Sequence, residues 1–135
     1  MQSWCQSRTT GQASNNLTVI EYSPDRSLFA TMTNSGVVKV WSANNYRPLA
    51  TLATSGTPSD VKFSKDGKTI AVASTNSQIK FYNTSSPFSE ITAMAFNAGH
   101  GSGAVYLDYN SDSSKLATCG GSNNKVRLWD TTDYS

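Results

Sequence analysis

The chain has little of what catalytic and membrane-bound proteins usually need. Histidine occurs once, at His100, and cysteine twice, at Cys5 and Cys119. A lone histidine cannot build a zinc centre, which draws on three or four His, Cys or acidic ligands. The opening MQSWCQSRTTGQASNN has no apolar core for a secretion signal, so the two distant cysteines are expected to stay reduced. No apolar run approaches the ~20 residues that cross a bilayer. We therefore expect no membrane partner and an intracellular location, cytoplasmic or nuclear. Charge is sparse as well: 11 Lys and Arg against 9 Asp and Glu leave a formal net charge of +2. The cations are scattered, and without a basic stripe a nucleic-acid partner is not expected. No paired carboxylates stand out for acid–base work.

What the sequence does have is Ser, Thr, Asn and Gly between short β-branched and aromatic runs, the composition of strands joined by turns. Its 135 residues suit one domain. After a polar segment over 1–16, a first unit reads as Leu17–Tyr22, the turn Ser23-Pro24-Asp25-Arg26, strands at Leu28–Thr33 and Val37–Trp41 around Asn34-Ser35-Gly36, and a softer fourth strand at Tyr46–Leu52. A second unit restarts at Asp60-Val61-Lys62-Phe63, turns at Ser64-Lys65-Asp66-Gly67, and continues through Thr69–Ser74 and Ile79–Tyr82. Glu90–Phe96 fits a fourth strand or a helix. A third unit starts near Ala104, turns at Asn110-Ser111-Asp112-Ser113, and closes with Lys115–Asp130, leaving no fourth strand of its own.

Spacing supports the repetition. Tyr22, Phe63 and Tyr109 are 41 and 46 residues apart, and Trp41, Tyr82 and Trp129 are 41 and 47 apart. A period of about 40–45 with four short strands per unit is that of a propeller blade. The expected fold is all-β, with about three blades of four-stranded antiparallel sheet over 17–57, 58–99 and 100–135.

The residues also carry a resemblance. Val126-Arg127-Leu128-Trp129-Asp130 looks like the end of a WD-repeat, and Gly99-His100 stands 29 residues before its tryptophan. Tyr22-Ser23-Pro24-Asp25 with Lys39-Val40-Trp41-Ser42, and Phe63-Ser64-Lys65-Asp66-Gly67 with Ile79-Lys80-Phe81-Tyr82-Asn83, are similar. The sequence thus resembles the WD-repeat propeller family over about 17–130. In that family a His, a Ser or Thr, an Asp and the Trp can form a buried hydrogen-bond chain. The matching positions are His100, Thr118, Asn123 and Trp129, with a neutral amide in the Asp place, so a weaker network is expected. In the first unit Thr31 and Trp41 match while Ala13 and Ser35 depart. In the second, Thr54, Val72, Asn76 and Tyr82 leave the network largely absent.

Other readings of these residues are weaker. His100 could be a catalyst, but its spacing favours the structural role. Cys119 could be a nucleophile only if a histidine activated it, and packing is its simpler use. Gly99-His100-Gly101-Ser102-Gly103 lacks the Gly-Lys-Ser/Thr ending of a phosphate loop. Asp25, Asp66 and Asp112 recur at the same turn and read as turn formers. The unequal loops offer Tyr46, Arg47, Pro48 and Phe88, residue types that anchor interfaces.

Three blades cannot close a ring that usually needs 4–8. The chain is expected to be part of a longer propeller, or else to assemble, with the Trp4 segment as a candidate fourth strand for a partner's last blade. The resemblance implies a non-catalytic scaffold without cofactor or metal that presents blade loops to a protein or peptide. A propeller enzyme or cofactor binder and a purely structural blade set are the alternatives.

Overall fold

The computed structural model describes residues 16–133. The polar segment expected over 1–16, with Trp4 and Ala13, lies outside the described residues apart from its last position. Eleven strands form among the described residues: β1 Leu17–Tyr22, β2 Leu28–Thr33, β3 Val38–Ser42, β4 Pro48–Leu52, β5 Pro58–Phe63, β6 Thr69–Ser74, β7 Gln78–Asn83, β8 Phe96–Asn97, β9 Val105–Tyr109, β10 Lys115–Gly120 and β11 Lys125–Asp130. They make three antiparallel sheets in sequence order, β1-β2-β3-β4, β5-β6-β7-β8 and β9-β10-β11. We call these blades one to three. The fold is the all-β, partial-propeller arrangement expected from the sequence. Between β7 and β8 neither a full strand nor a full helix forms. Glu90 makes a single bridge to Tyr82, Thr92–Met94 is one 3-10 turn, and β8 is two residues long.

The turn after the first strand of each blade is built alike. Ser23 Oγ donates to Asp25 at 2.7 Å and accepts the Leu28 N–H at 3.0 Å; Ser64 does the same with Asp66 at 2.6 Å and Thr69 at 3.0 Å. In blade three Asn110 takes the serine's place, accepting the Lys115 N–H at 2.9 Å. Donors crowded around a carboxylate favour its charged form. The carboxyls of Asp25, Asp66 and Asp112 accordingly lie below their ordinary value, held there chiefly by Ser23, Ser64 and Ser114. The residue after each Asp has positive φ, and only the middle turn uses a glycine there: Arg26 at 64°, Gly67 at 74° and Ser113 at 63°.

β5 lies against β1 on one side and β9 on the other, so the first strand of each blade is the innermost. Each sheet has two faces, because side chains alternate along a strand. We call the face toward the preceding blade leading and the other trailing. Blade one's trailing face (Ala30, Met32, Val38, Val40) packs on blade two's leading face (Val61, Phe63, Ile70, Val72) in one cluster. Blade two's trailing face (Ala71, Ala73, Ile79, Phe81) packs on Leu107, Tyr109 and Leu116 in a second. Thr69–Ser74 is thus buried on both faces beyond its first residue.

A polar clamp crosses the second junction. Asp60 accepts the Val61 N–H with one carboxylate oxygen and the Leu107 N–H of β9 with the other, both at 2.9 Å. Ser59 Oγ donates to the Val105 carbonyl at 2.6 Å and accepts the Val105 N–H at 3.0 Å. Burial pushes the Asp60 carboxyl above its ordinary value, and the Leu107 N–H pulls against that shift. At this position blades one and three carry Val19 and Tyr106, so the clamp belongs to one junction alone.

Candidate functional site

Alternating strand direction sorts the connections onto two faces of the molecule. Turns after β1, β3, β5, β7 and β9 lie on one face, and turns after β2, β4, β6, β8 and β10 on the other. On the second face, residues 34–37, 53–57, 75–77, 98–104 and 121–124 contain no Asp, Glu, Lys or Arg. The first face has all the charge of the inter-strand turns.

The uncharged face holds His100, which is fully buried. Its Nε2 lies 2.8 Å from Thr118 Oγ1, which accepts the Trp129 indole N–H at 2.9 Å. Its Nδ1 lies 3.4 Å from Asn123 Oδ1. Asn123 Nδ2 donates to the Gly99 carbonyl at 2.6 Å, and Oδ1 accepts the Lys125 N–H at 3.2 Å, which fixes the amide's orientation. An amide oxygen can only accept, so the imidazole proton sits on Nδ1 and Nε2 takes the Thr118 hydroxyl proton. The order of donation is Trp129 to Thr118 to His100 to Asn123, with a long last link. All four expected residues are brought together.

Sequence reasoning missed one member. Ser77, in the turn of the preceding blade, accepts the His100 N–H at 3.1 Å and donates to the Gly101 carbonyl at 2.6 Å. It occupies the left-handed place that Gly36 fills one repeat earlier, with φ of 66° against 96°. That match was the one signal available. The role of Asp60 was missed as well, and its one signal was a lone carboxylate at a position its sister repeats fill with Val19 and Tyr106.

The other blades solve the same problem with different residues. In blade one the Trp41 indole donates to Thr31 Oγ1 at 2.9 Å, and Ser35 bonds Thr33 instead, at 3.0 Å. In blade two Val72 cannot accept, and Tyr82 replaces the tryptophan. Its longer reach carries the hydroxyl to the Ala53 carbonyl in the turn before β5. Burial, with Glu90 nearby, pushes that hydroxyl's pKa up to about 12, so it remains a donor. Replacing Thr118 by valine would leave the half-buried Trp129 N–H and the buried His100 Nε2 unmet. The expected cost is about 1–3 kcal/mol, read as a lower urea midpoint with an unchanged slope.

On the charged face Tyr46 and Arg47 are exposed in the turn between β3 and β4, and Pro48 is exposed at the start of β4. Tyr46 has φ of 60°, and its N–H is held by the Ser42 carbonyl at 2.9 Å. Phe88 is not such an anchor. A tight turn, with the Phe88 N–H on the Ser85 carbonyl at 2.7 Å, brings its ring against the cluster between blades one and two. A hollow of about 400 Å³ opens on this face at the blade one–two junction. Tyr22 and Pro24 contribute apolar surface above the buried Phe63, and Arg26, Lys65 and Glu21 line it too. Arg26 sits 5.5 Å above the Tyr22 ring, and Glu21 pairs with Lys62 at 3.4 Å. Among the described residues the ion pairs are Lys62–Glu21, Lys80–Glu90 and Lys115–Asp130, and none uses Arg26, Arg47, Lys65 or Lys68. Among the same residues no three His, Cys, Asp or Glu side chains converge as metal ligands. No helix there is long and apolar enough to cross a membrane.

Comparison with known families closes the question of kinship. The model of the WD domain, G-beta repeat, matches residues 46–83 and 88–130, more than half of the chain. The chain belongs to the WD-repeat family. Each matched segment begins just before the outermost strand of one blade, β4 or β8, and continues through the first three strands of the next. The sequence repeat therefore straddles two sheets and ties neighbouring blades covalently. Among curated proteins, the chain is 26% identical over 104 residues to protein transport protein SEC31 of Saccharomyces cerevisiae, covering 75% of this chain and 8% of that protein. It is 29% identical over 109 residues to protein SPA1-RELATED 3 of Arabidopsis thaliana, covering 80% of this chain and 12% of that protein. The chain thus spans about a tenth of the length of these relatives. WD-repeat proteins are typically non-catalytic scaffolds for protein interactions.

Proposed function

We propose that this chain is a non-catalytic WD-repeat scaffold, without cofactor or metal, whose charged face holds an acidic segment of a protein partner within a larger complex. The observation that carries this reading is the hollow at the blade one–two junction, where Arg26 and Lys65 border the exposed side chains of Tyr22 and Pro24. Cations above aromatic surface suit a peptide that brings carboxylates together with an apolar side chain. Lys68 lies in the same turn as Lys65. Tyr46 and Arg47 extend the face outward, since the turn that holds them joins the Ser23–Ser27 turn through the Ala43 N–H and Ser27 carbonyl at 2.8 Å. Stiff sheets hold these turns, so binding needs little ordering of the scaffold.

The test is a fluorescence-anisotropy titration with matched peptides, one acidic and aromatic, the other with its acids changed to lysine. The acidic peptide should bind more tightly, weaken as salt rises, and lose roughly tenfold or more in affinity in an Arg26→Ala, Lys65→Glu chain. Equal binding of both peptides, or affinity indifferent to those substitutions, would rule the reading out.

A further inference from the structure

Six of the eight large hydrophobic side chains left exposed among the described residues lie on two sheet faces. Leu17, Ile20 and Tyr22 are on the leading face of blade one. Tyr106, Val126 and Leu128 are on the trailing face of blade three. Leu17, Ile20 and Thr31 border a hollow of about 240 Å³, and Tyr106, Cys119 and Val126 border one of about 190 Å³.

The repeat register says what each face takes. Val126 and Leu128 stand where Ile79 and Phe81 stand in blade two, 47 residues earlier, and those two are fully buried against the leading face of blade three. Ile20 and Tyr22 stand where Val61 and Phe63 stand, 41 residues later, and those are buried against the trailing face of blade one. The two open faces are thus the two halves of one junction, and the molecule already makes that junction twice. We propose that the trailing face of blade three docks on the leading face of blade one in a second copy of this chain. The two copies meet head to tail and form the junction at both ends. Repeat units bury their apolar faces against like neighbours, and two sets of three blades give a number within the usual propeller range of about 4–8. One position fits imperfectly. The inner strands pair Glu21 with Lys62 across the first junction, but the equivalent place in blade three is Asp108, which would meet the second copy's Glu21.

The experiment uses the full chain with Cys5→Ser, leaving Cys119, exposed on the trailing face, as its single thiol. Light scattering should give a mass of twice 14.5 kDa, and the thiol should react more slowly as concentration raises the paired fraction. Ile20→Asp and Leu128→Asp should each weaken pairing by roughly a hundredfold, as loss of a central anchor does, while far-UV circular dichroism stays unchanged. Mixing those two variants should restore pairs, because one junction of the mixed pair is intact. Asp108→Lys should tighten pairing by recreating the Glu–Lys contact. A single-chain mass at every concentration with a freely reactive Cys119 would overturn the proposal, as would pairs that survive both aspartates or variants that fail to rescue each other.

Discussion

Replacing Phe81 with alanine is expected to cost about 3–5 kcal/mol of unfolding free energy, a large share of the ~5–15 kcal/mol a domain of this kind has. The ring is fully buried on the trailing face of β7 and stacks on Phe96 with centroids 6.1 Å apart. It fills the second interblade cluster together with Ile79, Leu107 and Leu116. Sheets on both sides hold the surrounding backbone, so the void left by truncation cannot collapse, and the cavity adds to the lost transfer energy. Phe81→Leu keeps most of the volume and should cost less than half as much. The control is Leu128→Ala, at the same position of the next repeat. Leu128 is 70% exposed, so at high dilution its loss should stay within about 0.5 kcal/mol. Urea unfolding of the three variants checks this. If Phe81→Ala and Leu128→Ala cost the same, the packing described between blades two and three is wrong.

The second large effect is expected from Gly120→Ala. Gly120 has φ of 111° and ψ of −155°, a region essentially reserved for glycine, and holding alanine there costs about 1–3 kcal/mol. Its new Cβ would also run into the Ala104 carbonyl oxygen and lie 3.2 Å from Val105 Cα. That carbonyl cannot swing away freely, because it accepts the Gly121 N–H at 2.8 Å. Overpacking of this kind adds about 1–3 kcal/mol, for a total of roughly 2–6 kcal/mol. The damage should also reach the His100 network, because the same turn carries Asn123 beneath the imidazole. A Trp129 fluorescence shift that melts ahead of the far-UV signal would report it. An alanine variant as stable as the parent, with the turn unchanged, would contradict the backbone geometry given for residues 119–121.

Much of the fold was legible in the chain because its signals are local. Leu28–Thr33 and Thr69–Ser74 were read to the residue, since β-branched runs flanked by Ser, Asn, Asp and Gly turns leave few choices of strand boundary. The fourth-strand region of the second unit was not legible. Ile91, Met94 and Phe96 carry a spacing that suits helix and strand alike, and only the edge of β7 selects a two-residue strand there. His100, Thr118, Asn123 and Trp129 could be placed because the repeat length fixes which turn faces which strand. Ser77, which pins the same histidine from the neighbouring blade, could not, because a contact between blades leaves no mark in the spacing within one.

The sequence by itself determined the period, the hairpins and the alternation of side chains, all of which arise from φ, ψ and hydrogen bonding over a few residues. Only the tertiary structure decided which side of each strand is covered. Phe81 and Leu128 occupy one repeat position, and Tyr46 and Phe88 are aromatic residues in turns of the same kind. Yet Phe81 and Phe88 pack into clusters while Leu128 and Tyr46 meet solvent. The physical reason is that alternation gives every strand two faces, whereas burial requires a second sheet, and which sheet arrives is fixed by packing between residues more than forty positions apart.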